Sequence, residues 1–391
     1  MPSDLILKSL EIQRFRGIRE LKIGRLGRVN LIVGKNNVGK STVLEALQLY
    51  AKPGSLPELL HILVSRGELP TASLNYWKKE NGFDFPIESI FNQPREIDVL
   101  TKPIPMGPPK AIEIGPEGSV DQRYQISLRS EVDPRPFRVG HPMPSKLWFL
   151  RLEFQDSLLA FRMANDPADS VSELFFNLNN TVRNTQSESF PSINSSYVQP
   201  TGLSEGLIGR LWDKISLTEY ESDVIAAMRI ILPEVERIAL RESDHTESHL
   251  LDSRQKSSVK KRAPYAKLFG TSSPRPLKAL GDGVNRLFGL ALSLVNSKDG
   301  FLLIDEIENG VHYSVQADLW RLIFKTASRL NVQVFATTHS YDCIKAFEEA
   351  ARDSVEEGVM IRLVKRNDEI VVVEFEKDEL SIAVDGQIEI R

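Results

Sequence analysis

Hydrophobic positions along this chain recur with two periods, and the switches between them outline its elements. Leu10-Glu11-Ile12-Gln13-Arg14-Phe15 begins as an alternating strand, and the segment ends with Arg14 and Arg16 around an aromatic ring. Val29 to Val33 is a nearly continuous apolar run, the length of a short buried strand. From Thr42 to Tyr50 the period lengthens, and Val43, Leu44, Leu47 and Tyr50 form the apolar stripe of a helix. Between residues 87 and 163 short β-like runs, such as Arg123–Leu128 and Lys146–Phe154, are separated by Pro103, Pro105, Pro108, Pro109, Pro134 and Pro136. They predict an antiparallel β lobe. Residues 165–233 predict mostly helix, interrupted by the polar, disordered-looking stretch NTQSESFPSINSSYVQPTG. Val224, Ile225, Met228 and Ile231 make Thr218–Leu232 an amphipathic helix. Further on come an apolar helix, Leu287–Val295, and two apolar strands that start at Phe301 and Val332.

Composition changes this picture little. The chain has 391 residues, room for two domains or one large domain with insertions. With 41% hydrophobic and 26% charged residues it reads as an ordinary globular protein. A net charge of −4 gives no global field toward DNA or anionic lipid, so any such contact needs a local basic patch. Arg254, Lys256, Lys260, Lys261, Arg262 and Lys267 form one, readable as a solvated face or as a phosphate-backbone contact. Cys343 is the only cysteine, which excludes an intramolecular disulfide and a cysteine-rich metal site. No run approaches the roughly 18 apolar residues of a membrane span, and Met1–Ser9 lacks the features of a signal peptide. A cytoplasmic protein with no membrane partner is the expectation.

The chemistry starts where the run Val29–Val33 ends. Gly34-Lys35-Asn36-Asn37-Val38-Gly39-Lys40-Ser41 is a complete G-x-x-x-x-G-K-[ST] loop between a predicted strand and the helix opened by Thr42. Its glycines allow the tight turn that points backbone N–H groups at phosphate oxygens, and the helix N-terminus adds to the anion field. In such a loop Lys40 reaches the β- and γ-phosphates and the Ser41 hydroxyl ligates Mg²⁺.

Two later strands carry acids and a histidine. Phe301-Leu302-Leu303-Ile304 runs into Asp305-Glu306, where the first acid is placed to hold Mg²⁺ and the second to orient a water. Val332 to Thr338 runs into His339, placed for a γ-phosphate sensor, although a lone histidine is more often a surface residue. Before them, Leu280-Gly281-Asp282-Gly283-Val284-Asn285-Arg286 presents a Gly-x-Gly turn at a helix start. It reads as an N–H donor site for phosphate or as a plain N-cap by Asp282.

Taken in order, SLEIQRFRGI, GKNNVGKST, LGDGVNRL, LLIDEIENGVH and ATTHS resemble the ABC-type ATPase heads shared by SMC-like repair proteins, RecF and the OLD-family ATPases. The terminal stretch from Arg362 to Arg391 is similar to the ending of the OLD-like subgroup. The resemblance implies an α/β, ABC-type P-loop ATPase head with an antiparallel β lobe and a helical insert. It implies that Asn36, Asn37, Val38, Gly39, Lys40, Ser41 and Thr42 bind ATP, and that Ser41 and Asp305 hold Mg²⁺. Glu306 is then the general base, His339 the switch histidine and Arg16 a further nucleotide contact. Glu308 to His312 fall at a dimer seam, and Gly281, Gly283 and Asn285 complete the site of a second subunit. Gly281 stands where the usual signature has a serine.

This reading divides the chain into residues 1–163 (phosphate loop and β lobe), 164–270 (mainly helical insert or arm) and 271–391 (signature, acidic strand and switch histidine). Residues 51–270 show no heptad repeat, so no long coiled-coil arm is expected. OLD-family proteins often end in a Toprim nuclease, and residues 340–391 are too few for one. The expected function is a homodimeric ATPase switch acting on DNA or on a separate nuclease or other effector, in prokaryotic antiphage defence. Two alternatives stay open: a RecF-like repair ATPase, and an ATP-bound scaffold that sequesters a toxin with little turnover.

Overall fold

The computed structural model describes residues 4–69, 83–84, 87–91, 111–132, 146–155, 157–165, 174–182, 190–242, 262–367, 369–376 and 379–381. The six prolines expected to break the β lobe, and Arg254 to Lys261 of the basic patch, lie outside these residues. The chain opens with a hairpin, β1 (Leu10–Phe15) and β2 (Ile18–Ile23), then runs through β3 (Val29–Val33) into α1 (Lys40–Ala51) and α2 (Leu56–Ser65). Next come β4 (Phe83–Asp84), β5 (Ile112–Gly115), β6 (Tyr124–Val132), β7 (Lys146–Phe154), β8 (Ser157–Asn165) and β9 (Leu174–Val182). After β10 (Asn194–Val198) follow α3 (Glu205–Ile215), α4 (Glu219–Met228), β11 (Val235–Glu242), β12 (Arg262–Leu268) and β13 (Arg275–Pro276). The chain continues with α5 (Asp282–Asn296), β14 (Gly300–Ile304), α6 (Tyr313–Leu330), β15 (Gln333–Thr338), α7 (Tyr341–Asp353), β16 (Gly358–Arg366) and β17 (Glu369–Phe375).

The central sheet has the order β10-β14-β15-β3-β16-β17 and is parallel except for the last pair. Its apolar residues divide between two faces, as the two-residue period of a strand requires. Val29, Leu31, Val33, Leu302, Ile304, Val334 and Ala336 join the core with α5, α6 and α7, whereas Ile32, Phe301, Leu303, Phe335, Val359 and Ile361 join the core with α1, α2 and the β lobe. Burial on both sides explains why β3 and β14 read as nearly continuous hydrophobic runs. Asn30 is the polar exception in β3, and its side-chain amide is satisfied by Gly27 O at 2.9 Å and Val334 O at 3.1 Å. The antiparallel lobe, ordered β2-β1-β5-β6-β7-β8-β9-β4, lies on the second face. Its strand β7 has the bounds that the sequence predicts.

The helices α3 and α4 and the three-stranded sheet β11-β12-β13 stand between β10 and α5. Here the structure differs from the mostly helical expectation for 165–233, because residues 174–182 and 194–198 are strands. β10 lies inside the stretch that reads as disordered, yet it is an edge strand of the central sheet, parallel to β14. Its only buried side chain is Val198, so it carries little hydrophobic signal and is held by backbone pairing. Gly300 permits that pairing, since a Cβ there would stand 1.9 Å from Asn194 O. Among the described residues no helix is long and apolar enough to cross a membrane.

Candidate active site

Two β-strand ends and one loop meet at the carboxyl edge of the central sheet. The loop from Gly34 to Gly39 is shaped by residues in the left-handed region: Gly34 at φ 148°, Asn37 at 64° and Gly39 at 109°. Gly34 is also confined, because a Cβ there would lie 2.6 Å from Leu363 O of β16. Lys35, Asn36 and Asn37 are exposed, whereas Val38 is buried beneath the turn. Thr42 follows Lys40 and Ser41 in the first turn of α1, whose N-cap is Gly39. The ammonium of Lys40 folds back over the loop and donates to Gly34 O at 2.7 Å and Lys35 O at 3.1 Å. Burial pulls the pKa of Lys40 down, and the carboxylates of Asp305, Glu306 and Glu308 oppose that pull.

Asp305 leaves β14 and is buried against this loop. Its Oδ1 accepts from Ser41 Oγ at 3.1 Å and from Thr337 Oγ1 at 2.5 Å. Thr337 Oγ1 in turn accepts from Glu306 N at 2.9 Å, so β15 fixes the turn that carries both acids. Glu306 adopts φ 50°, uncommon for a residue with a side chain and the kind of strain that clusters at functional sites. Asn309 Nδ2 donates to Glu306 Oε2 at 2.7 Å and holds the carboxylate. The imidazole of His339, at the end of β15, has Nδ1 3.1 Å from Glu308 Oε1 and 3.9 Å from Glu306 Oε1.

Ser41 Oγ and Asp305 Oδ1 are hard oxygen donors of the kind Mg²⁺ prefers. Among the described residues no group of three or more His, Cys, Asp or Glu could hold a metal ion. The two oxygens therefore suit Mg²⁺ as part of a set completed by phosphate and water.

Three further residues enter the site, of which Tyr197 has no sequence signal. Tyr197 of β10 brings its hydroxyl 3.4 Å from Asp305 Oδ2. Burial first, then the charges of Asp305 and Glu45, push its phenol well above the usual range and keep it a donor. Arg286 is buried under the same turn and donates to Gln199 O, Pro200 O, Asp305 O and Glu306 O at 2.6 to 3.1 Å. It ties α5 to the ends of both β10 and β14. Glu308 is the third. Only the tertiary pairing of β10 with β14 exposes the role of Tyr197, although Arg286 stood in the LGDGVNR motif all along.

The other expected contacts lie elsewhere in this arrangement. Gly281, at φ 120°, is the N-cap of α5, so Asp282 is not the cap but the first residue of the helix. A Cβ on Gly283 would stand 2.3 Å from Gly310 O, so this glycine serves close packing inside the chain. Asn285, half-buried in the first turn, donates its N–H to Gly281 O. Arg16 pairs through Nε with Glu45 at 2.9 Å and through a terminal nitrogen with Glu68 at 2.5 Å. Of the expected site residues, the structure thus joins Ser41 directly to Asp305 and places Lys40, Glu306 and His339 around them.

The parallel sheet, the phosphate loop and the flanking antiparallel lobe define an ABC-type P-loop ATPase fold. Residues 29–342 match the family described as "AAA domain, putative AbiEii toxin, Type IV TA system", and the chain belongs to that family. An "ATP/GTP phosphatase" of Helicobacter pylori is 20% identical over 364 residues, covering 89% of each chain. An uncharacterised protein of Methanocaldococcus jannaschii is 48% identical over 67 residues, 16% of this chain and 31% of its own length. Among solved structures, the SMC head domain from Thermotoga maritima matches with a TM-score of 0.42 and 13% identity, over 95% of this chain and 99% of that one. An Smc head bound to the C-winged helix domain of ScpA matches with a TM-score of 0.48 and 14% identity, over 95% and 98%.

Proposed function

We propose that this chain binds ATP with Mg²⁺ at the loop Gly34–Ser41 and hydrolyses it, using the nucleotide cycle as a conformational switch. The observation that carries this reading is the 3.1 Å approach of Ser41 Oγ to Asp305 Oδ1, which joins two motifs from distant parts of the sequence. Asn36, Asn37, Val38, Gly39 and Thr42 complete the phosphate cradle through the loop and the start of α1, with Arg16 a more distant contact. Lys40 exchanges its two carbonyl partners for β- and γ-phosphate oxygens. Bound Mg²⁺ supplies charge neutralisation at the phosphates. Glu306 accepts the proton of the attacking water, and His339 meets the terminal phosphate. The name of the Helicobacter relative supports a hydrolytic reading.

Two copies then close head to head, each offering Gly281, Gly283 and Asn285 to the nucleotide of the other. Gly281, His312 and Tyr313 are exposed and leave surface for such a seam. The order of motifs supports kinship with the OLD-like ATPases, and with it action on DNA or on a separate nuclease or toxin in phage defence. The family description supports a toxin–antitoxin or defence setting. The test is steady-state ATP hydrolysis with light scattering. Lys40→Ala is expected to lose activity. Glu306→Gln is expected to keep ATP bound in a stable dimer and to turn over at least a hundred-fold more slowly, the lower range for losing a general base. Wild-type hydrolysis by Glu306→Gln would remove Glu306 as the base.

A further inference from the structure

His339 has a fixed position without being packed into one. Its side chain is 46% exposed, so neighbouring atoms leave its rotamer largely free. What holds it is Glu308, whose side chain is 9% exposed. Glu308 Oε1 accepts the backbone N–H of His339 at 3.0 Å and lies 3.1 Å from Nδ1 of the same residue. The oxygen of Glu306, the other acid near this histidine, is 3.9 Å from Nδ1, beyond hydrogen-bond range. The turn that contains Glu308 does not require a carboxylate, because its own bonds run through the backbone, from Asn309 N to Glu306 O and from Val311 N to Glu308 O. The second oxygen, Oε2, is buried with no hydrogen-bond partner, which makes the charge expensive to keep there. The charge of Glu308 also faces the buried guanidinium of Arg286, which bonds the carbonyls of Asp305 and Glu306, so the carboxylate serves that cation as well as His339.

We infer that Glu308 is a positioning residue for His339. Its Oε1 accepts the backbone N–H of His339, which fixes the carboxylate, and its 3.1 Å distance from Nδ1 places it to favour the tautomer with the proton there, which would orient the ring. Donation to an anion through Nε2 as well requires a second proton on the ring. The inference rests on the reading of His339 as the group that meets the terminal phosphate.

The experiment is a double-mutant cycle on the full chain. ATP hydrolysis is measured for His339→Ala, Glu308→Leu and the two combined, with ¹⁵N-histidine spectra of wild type and Glu308→Leu. Glu308→Leu is expected to lower kcat on the order of a hundred-fold, as His339→Ala does, with KM changed less than about three-fold. Because Glu308 acts through His339, the double variant is expected to be no slower than His339→Ala alone. Glu308→Gln, which keeps an acceptor oxygen in place, is expected to recover most of the rate. In Glu308→Leu the ring should lose its Nδ1–H preference. Should the leucine variant not fold, Glu308→Asp, charged but one methylene shorter, carries the same cycle. Losses that add in the double variant, or an unchanged tautomer, overturn the inference while leaving the role of His339 intact. Wild-type hydrolysis by His339→Ala removes the role of His339 and the inference with it.

Discussion

Asp305 has two carboxylate oxygens, and the protein assigns them different partners. Ser41 and Thr337 share Oδ1, while Tyr197 reaches Oδ2. With Ser41 holding Mg²⁺, Thr337 and Tyr197 would be the donors left to keep the carboxylate from rotating. Tyr197→Phe keeps the ring and removes only the donor. It is expected to raise the Mg²⁺ concentration for half-maximal hydrolysis about five-fold, the equivalent of roughly 1 kcal/mol for one hydrogen bond. A Mg²⁺ titration of the ATPase rate checks this, and an unchanged midpoint would count against any metal-positioning role for Tyr197. The elevated phenol pKa means that raising the pH from 7 to 9 should not mimic the substitution, because the donor stays protonated across that range.

At the scale of elements, β10 is the piece on which the site depends most and which its own sequence supports least. Its backbone pairs with β14 from Asn194 to Val198, and Asp305 N continues the ladder to Val198 O at 2.9 Å. Arg286 closes the far end by bonding the carbonyls of Gln199 and Pro200. The near end depends on Gly300, where the Asn194 carbonyl occupies the space a side chain would need. Gly300→Ala must push β10 outward, and overpacking of this kind costs about 1–3 kcal/mol. The expected outcome is an apparent Tm lower by several degrees, together with the higher Mg²⁺ requirement of Tyr197→Phe, since Tyr197 moves with the strand. Calorimetry beside the Mg²⁺ titration tests both, and a variant as stable as wild type would show that β10 is not held at Gly300.

Over the whole molecule, the proposed nucleotide site borders the core that the central sheet forms with α5, α6 and α7. α7 begins at Tyr341, just past His339, and Cys343 in its first turn is buried among the residues that cover one face of the central sheet. Burial, with the charge of Glu308 adding to it, pushes the Cys343 thiol up to about 12, so at pH 8 it is neither exposed nor ionised. A thiol reagent should reach it only through opening of this region. In the proposed function, ATP with Mg²⁺ binds the folded state, and at a hundred times its Kd it should slow labelling by about a hundred-fold where opening is global. Labelling in urea gives the unprotected rate. Equal native rates with and without nucleotide would show that binding does not stabilise the α7 end of the core.

Local physics made much of this protein legible in the sequence. The phosphate loop is eight consecutive residues whose glycines set their own backbone, and β3, β14 and β15 announce themselves because a doubly covered parallel strand is apolar along most of its length. Lys40, Ser41, Asp305, Glu306 and His339 could be singled out as candidates for the same reason: each stands at the end of an element that its neighbours specify. The tertiary structure alone decided what depends on pairing across long stretches of chain. β10 is held by backbone hydrogen bonds that leave no hydrophobic pattern, so Tyr197 was hidden in a polar stretch. Glu308 reads as part of a dimer seam until the parallel register of β14 and β15 sets it beside His339. Gly283 is legible as a turn glycine, and only the tertiary structure adds that it is a point where two backbones of the same chain touch. Sequence specifies a residue's chemistry and its local geometry, but its partner is chosen by the sheet that brings the strand ends together.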